Sequence, residues 1–276
     1  MALNSVNTNV GAMIALQNLQ VTNNELSQVQ SRINTGKKVG SAKDNGAIWA
    51  IAQGQRAEIG ALNAVKDSLN RGQSAVDVGL AAGESVSDLL VQMKELALAA
   101  TEESLTTAAR DALNEDFTSI RDQIATVVKN AEFNGVNLLD GSSTNGFKAL
   151  ANVAGDTITV ASEDMSLSGS IVTLSASSGV ATASAATASL ALVDASIDNV
   201  SASLAKLGTG SKSFSTHLTF VGKLQDTLDA GVGNLVDADL AKESARLQAL
   251  QTKQQLGVQA LSIANSSTSI LLGLFR

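Results

Sequence analysis

Three short stretches of the chain hold nucleophilic, basic or acidic side chains at intervals known from reactive sites. Ser203 and Lys206 stand three apart, as a serine nucleophile and a lysine base would; Gly208-Thr209-Gly210-Ser211-Lys212-Ser213 resembles part of a phosphate-binding loop; Asp237 and Asp239 could present two carboxylates to a cation. None holds up against its surroundings. A phosphate loop of the form GxxxxGK followed by Ser or Thr needs glycine where Ser211 stands, and a strand before it, whereas this stretch lies inside a helical heptad run. Leu204 and Leu207 put Ser203 and Lys206 on that same helix, where they read as a solvated face without partner motifs. Asp237 and Asp239 stand where a helix begins, so they suit exposed backbone N–H groups and the positive end of the dipole. His217 is the only histidine and there is no cysteine, which excludes an HExxH site or a Cys/His zinc cluster; His217 reads as a helix-surface residue beside Leu218. No nucleophile, base and orienting group can be assembled, so the expectation is no enzyme, no cofactor and no metal.

The elements that carry these residues are helices of unusual length. From Leu190 an apolar stripe steps by three and four through Val193, Ile197, Val200, Leu204, Leu207, Ser211, Phe214, Leu218, Val221, Gln225, Leu228, Val232 and Leu235, broken only by Ser211 and Gln225. That is a helix packed along a narrow seam; at ~1.5 Å per residue it runs roughly 65 to 70 Å. The phase fails after Gly231 and Gly233, a hinge falls near 231–237, and a second helix resumes at Leu240. In the N-terminal half, Leu3, Val6, Val10 and Met13, then Leu19, Leu26 and Ile33, mark a first helix that stops at Asn34-Thr35-Gly36. A helix from about Ile51 to Ala100 follows, and another through Leu113, Phe117, Ile120, Ile124 and Val127. Gly72, Gly79 and Gly83 near the seam imply that another backbone comes close. Asp140-Gly141 and Asn145-Gly146 then supply turns around short strand-like runs, Thr157 to Val160 and Ile171 to Leu174. From Ala149 to Ala205 there is no Lys or Arg and much Ser, Thr and Ala, which reads as an exposed, peripheral surface. The fold class is mainly α, a long antiparallel helical bundle or coiled coil made from both chain termini, with a small β-hairpin region around 140–180.

Both ends lack side-chain charge: nothing ionisable lies between Met1 and Asn24 or between Gln254 and Phe275. Surface helices normally carry Lys and Glu, so uncharged ends belong where unpaired charge is costly. Asn and Gln interrupt both, so neither reads as a membrane span, and the first lacks the basic start and unbroken apolar core of a cleaved secretory signal. Absence of Cys suits an exported protein, and absence of Pro, where average usage gives roughly a dozen, leaves the whole chain free for helix. A net charge of −7, one Trp, six Phe and no Tyr argue against nucleic acid as a partner.

Four motifs together resemble the flagellin family. Asn34-Thr35-Gly36-Lys37-Lys38-Val39 with Ser41-Ala42-Lys43-Asp44 is similar to the family's helix end and spoke, and Phe133-Asn134-Gly135-Val136-Asn137-Leu138-Leu139 to the turn before its β-hairpin. Val236-Asp237-Ala238-Asp239-Leu240-Ala241-Lys242-Glu243 resembles its C-terminal spoke, and Gln254 to Leu261 with Ala264-Asn265 its final helix. The closest resemblance is to the short, alphaproteobacterial-like type without large outer domains. It implies a structural subunit that self-polymerises into the bacterial flagellar filament for swimming, with residues 1–44 and 236–276 forming the inner layer and 45–235 the outer rod.

What the resemblance further implies follows from that arrangement. The terminal helices are expected to be disordered before assembly and to bury Leu3, Val6, Val10, Met13, Leu19, Leu26, Ile33, Leu261, Ala264, Leu271 and Leu272 against neighbours. Expected partners are further copies or related flagellins, flagellar cap and hook-associated proteins, and an export chaperone, without nucleic acid or membrane. Secretion would use the flagellar export apparatus, without a cleaved signal, to the extracellular filament. Exposed hydroxyls at Ser142, Ser143, Thr144, Ser175, Ser177, Ser178, Thr182, Ser184 and Thr187 are candidates for O-linked sugar. Two other readings stand beside this one: a hook-filament junction protein, which is similar at both termini, and an amphipathic membrane-surface binder, which would carry more Lys and Arg.

Overall fold

A computed structural model describes residues 8–274, with side-chain surroundings for residues 8–266. The chain is mainly helical: α1 (Val10–Thr35), α2 (Gly46–Ala100), α3 (Thr107–Asn130), β1 (Glu132–Phe133), β2 (Val136–Asn137), β3 (Phe147–Leu150), β4 (Thr157–Val160), α4 (Ala183–Val236) and α5 (Leu240–Leu274). Caps explain the boundaries. The side chains of Asn9, Asn45, Thr106, Thr182 and Asp239 each accept backbone N–H groups in the first turn of the helix that follows. Caps at Asn45 and Thr182 also start α2 and α4 earlier than the apolar stripes at Ile51 and Leu190 indicated. Gly36, at φ 68°, closes α1 in the left-handed conformation.

The described residues divide into two compact units, one comprising those up to Ala57 and from Thr227 onward, the other Glu58–Asp226. In the first, α1 and α5 run antiparallel. Asn9 Nδ2 donates to the Ala264 carbonyl (2.8 Å), Gln254 Nε2 to Asn23 Oδ1 (2.8 Å), and Arg32 meets Glu243 (3.2 Å). Beyond α1, Lys38 and Val39 N–H groups donate to the Val236 carbonyl, and Ala238 N–H to that of Gly36, so the two interhelical segments form a small bridge.

The second unit holds the main core. On α2 the buried positions Leu62, Leu69, Val76, Leu90 and Ala97 fall on one heptad phase, and Val193, Val200, Leu207, Phe214 and Val221 do so on α4. Phe117, Ile124 and Val128 of α3 are also buried. Gly72, Gly79 and Gly83 sit in this core as expected, but side chains rather than another backbone come close to them: the Phe147 and Phe214 rings, Leu207, and Leu204 with Met165.

Two hairpins follow α3. Asn134 and Gly135, both at positive φ, make the two-residue turn between β1 and β2, the geometry that matches strand twist. β3 pairs with β4 in the register Phe147↔Val160 to Leu150↔Thr157. Gly146 before β3 has φ 63°, and a Cβ there would lie 2.0 Å from the Val160 carbonyl oxygen, so both conformation and space demand glycine.

The segment 161–182 corrects two sequence expectations. Ile171–Leu174 is no strand, and the segment is not a loose surface: Met165, Val172, Leu174 and Val180 are fully buried. The cause is a row of positions seven apart on α4: Ser189, Ser196, Ser203, Gly210 and His217. Ser189 Oγ donates to the Gly179 carbonyl, Ser196 Oγ accepts the Thr173 N–H, and Ser203 Oγ donates to Glu163 Oε2. Val160 rests on Gly210, where a Cβ would come within 2.7 Å of it, and His217 Nε2 donates to the Ala151 carbonyl. Thus the Ser-, Thr- and Ala-rich composition marks close approach to a helix. Small residues and short hydroxyls let a non-helical backbone satisfy its polar groups while lying against apolar side chains. Ser203 is correspondingly buried and not on a solvated face, with Lys206 alone projecting outward to pair with Glu163 at 3.1 Å.

Candidate functional site

None of the chemical motifs forms a site. The stretch Gly208 to Ser213 is continuous helix within α4, and among the described residues no group of three His, Cys, Asp or Glu side chains could hold a metal. Asp239 Oδ1 accepts the N–H groups of Ala241 and Lys242, which is the capping role expected of it. Asp237 occupies the bridge to Lys37.

The surface that stands out is the α1·α5 pair. Its interface buries few side chains, among them Thr22, Val29 and Leu250, with Leu19, Leu26, Ile33, Leu261 and Ala264 half-buried. Gly257 lets Leu19 lie close: a Cβ there would be 3.3 Å from Leu19 Cδ1. Outward from this line, Val10, Met13, Ile14, Leu16, Val21, Leu256, Val258 and Ile263 are exposed, Ile263 at 69%. Between the helices a groove of about 520 Å³ is lined by Ile14, Leu19, Leu256 and Gly257 among others. Of the residues the sequence nominated, Val10 and Met13 are therefore open surface, while Leu19, Leu26, Ile33, Leu261 and Ala264 contribute to the pair itself. Leu3 and Val6 lie outside the described residues, as do the side chains of Leu271 and Leu272. Sequence reasoning missed Ile14, Leu16, Leu256 and Ile263, although the same absence of charge pointed to them.

Around this pair the spoke residues build turns. Thr35 Oγ1 donates to the Ser31 carbonyl and accepts the Lys37 N–H. Asp44 Oδ2 accepts the Ser41 N–H (2.9 Å), the Gly40 N–H (3.1 Å) and the Ser41 hydroxyl (3.1 Å). These bonds, the Ser41 N–H first, hold the Asp44 carboxyl below its ordinary range, with a smaller contribution from the charge of Arg32. Asn34 is exposed at the end of α1, and Phe133 is half-buried beside the exposed Asn134-Gly135 turn of the second unit.

The candidate hydroxyls differ in availability. Ser142, Thr144, Ser177, Ser184 and Thr187 are exposed, Ser143 half-buried. Ser142 Oγ is tied to Asp140, Ser175 to Ser177 and Ser178, Thr182 to the first turn of α4, and Thr187 to the Ala183 carbonyl.

Comparison with known proteins accords with this geometry. Residues 6–144 match the model of the bacterial flagellin N-terminal helical region and residues 190–275 that of the C-terminal helical region. Flagellin FljM of Caulobacter vibrioides is 61% identical over 276 residues, the full length of both chains. Flagellin of Brucella melitensis is 37% identical, covering 99% of each. A solved structure described as that of a flagellar hook-associated protein from Vibrio parahaemolyticus has a TM-score of 0.59 over 70% of this chain and all of that one, at 16% identity, a likeness of fold alone. With both terminal regions matched and relatives aligned end to end, the chain belongs to the bacterial flagellin family and is a structural protein of the flagellar filament, not an enzyme.

Proposed function

We propose that this flagellin polymerises through its terminal helices, residues 1–44 and 236–276, as the inner layer of the filament, with 45–235 as the surrounding rod. The observation that carries the reading is the α1·α5 pair, a thin interface whose outer surface is apolar and free of charge over residues 8–24 and 254–266. Complete burial of a Val, Leu or Ile side chain is worth about 1.5–3 kcal/mol, and side chains such as Ile14, Leu256 and Ile263 have more than half of their surface still to cover. A contact between unlike faces whose rotation does not close yields an open helical polymer. Asn9 and Gln254 show how amides on these faces can be satisfied without charge.

The partners that fit this role are copies of the chain and related flagellins, then flagellar cap and hook-associated proteins at the filament ends and an export chaperone beforehand. Export without a cleaved signal to an extracellular filament belongs to the same reading. O-linked sugar fits Ser143, Thr144 and Ser184 best, and a native-filament mass equal to the bare chain excludes it. Assembly is tested by seeded growth followed by negative-stain microscopy, comparing the full chain with one lacking 1–35 and 236–276. Long filaments from the full chain alone are expected. A full chain that stays monomeric or forms only short caps on competent seeds overturns self-polymerisation in favour of a junction role.

A further inference from the structure

Two surfaces of the second unit match each other in chemistry. Between α2 and α3 lies a cleft of about 360 Å³ with Leu96 and Ile120 as apolar walls, Glu95 and Asp116 as charges and no cation in its lining. Against α4 and β4 lies a second face, where Ile158 and a Phe220 ring that is 57% exposed flank Lys212, with no carboxylate in the lining. Lys212 and Phe220 are eight residues apart on α4, two turns of one face, about 12 Å. Phe220 lies off the apolar stripe of α4, and its ring leans on that of His217 with centroids 5.7 Å apart while its other side stays open.

The two surfaces cannot meet within one chain. Lys94 pairs with Asp194, and Gln73 with Ser211, so the cleft and the Phe220 face lie at levels of the second unit some twenty helical residues apart, roughly 30 Å. Each is therefore open to another molecule. The acidic cleft excludes an acidic partner, and the Lys212 face favours one, so a second copy offers each surface its complement.

We propose that the α2–α3 cleft of one copy receives the Phe220 and Lys212 face of the next. Phe220 enters between Leu96 and Ile120, and the Lys212 ammonium approaches Glu95 and Asp116. The contact is heterologous: the two patches differ, so each added subunit presents a free cleft at one side and a free Phe220 face at the other, and the row stays open. This contact rests on the reading of the chain as a self-polymerising subunit, but it is separate from the α1·α5 surface and sets the stagger between rods.

Its test uses the full chain, which has no cysteine and so accepts engineered pairs cleanly. Gln123 also lines the cleft, so under oxidising, seeded conditions a chain carrying both F220C and Q123C gives a ladder of disulfide-linked multimers. A mixture of chains carrying F220C alone and Q123C alone gives mixed dimers and nothing larger. Filaments that form normally without these crosslinks, or that link F220C to F220C, overturn the contact while leaving assembly by the terminal helices intact; wild-type chains that fail to elongate on seeds overturn the underlying reading instead. Charge exchange supplies a second measurement. K212E and E95K each slow seeded elongation at least tenfold, with the monomer melting unchanged, and the double variant K212E/E95K recovers to within threefold of wild type. Two single effects that simply multiply in the double variant overturn the pairing.

Discussion

The α1·α5 pair and the α2–α3–α4 core are both built from heptad-like helices poor in aromatics, yet they spend their apolar residues differently. On α4 the positions Val193, Val200, Leu207, Phe214 and Val221 are each at most 1% exposed, and the segment 161–182 covers part of the same helix. On α1 only Thr22 and Val29 are buried, while Val10, Met13, Ile14, Leu16 and Val21 are each about half exposed. A helix pair with one partner each can bury only a stripe. A third helix and a packed non-helical segment are what close the second unit. If the terminal helices assemble as proposed, the difference is one between a part that buries its own core and a part that leaves apolar surface for neighbours to cover.

Removing the same kind of bulk from each region should have opposite consequences. Phe214 is fully buried, meets the Phe147 ring edge-on at 6.4 Å and lies against Gly72. Phe214→Ala is expected to destabilise the monomer by about 3–5 kcal/mol, read as a large fall in the thermal midpoint by circular dichroism. Ile263→Ala should change that midpoint little, within about 0.5 kcal/mol, while lowering seeded growth. Equal loss of monomer stability from both would erase the distinction.

A smaller effect tests whether the non-helical segment is truly part of the core. Glu163 is 8% exposed and accepts from both Ser203 Oγ and Lys206 Nζ on one carboxylate oxygen. Ser203→Ala leaves that oxygen with the outward-facing lysine only. A loss of about 1–3 kcal/mol is expected in urea denaturation, the range for a buried acceptor deprived of a partner. Lys206→Ala, at the exposed end of the pair, should cost less. If neither substitution moves the midpoint, the segment is peripheral after all.

Glycines sharpen the same point with opposite signs. At Gly60 the added methyl meets open space on exposed α2, so Gly60→Ala should stabilise by about 0.5–1 kcal/mol through helix propensity. At Gly210 it would come within 2.7 Å of Val160, a branched side chain fixed in β4, and Gly210→Ala should destabilise by about 1–2 kcal/mol despite the same propensity gain. Thermal melts of the two variants side by side decide it.

The helices were legible because their signals are periodic and local. The Leu190 to Leu235 stripe, the Gly36 stop and the Asp239 start all depend on residues within a few turns of each other. The path of 161–182 was not legible for the opposite reason. Its anchors join Gly179 to Ser189, Thr173 to Ser196 and Glu163 to Ser203, separations of 10, 23 and 40 residues, and serine carries no sign of whether its hydroxyl faces water or a distant carbonyl. A trace was present: Ser189, Ser196, Ser203 and Gly210 repeat every seven residues on the phase four before the apolar one. Of the proposed assembly surface, the missing charge was visible in sequence, but the division between Leu19, which packs in the pair, and Leu16, which does not, required the antiparallel register fixed by Asn9 and Gln254.

One turn of the first unit is fastened in a way that pH separates from everything above. In the 40–44 turn the fastening is a single ionised carboxylate: Asp44 Oδ2 takes two N–H groups and a hydroxyl, and its affinity for a proton is lowered by them. Because the folded group titrates below the unfolded one, its stabilisation is complete above the unfolded value of about 3.9 and disappears as pH falls through the lower folded value. The second unit uses carboxylates in the same way where Asp140 Oδ1 accepts the Ser142 N–H and hydroxyl, whereas its turns at Gly146 and Asn134-Gly135 have residues at positive φ. Limited proteolysis of the monomer should therefore show cleavage near Lys43 unchanged from pH 7 to pH 5, as far as this turn governs it. Amide exchange at Gly40 and Ser41, followed by NMR from pH 5 downward, should accelerate only below the ordinary carboxylate range, beyond the change seen at Gly146. Asp44→Asn removes that pH dependence while leaving a weaker acceptor in place. If exchange at Gly40 and Ser41 instead follows the reference amides at every pH, the carboxylate does not fasten the turn, and the bridge between Lys37 and Asp237 must be what holds the spoke.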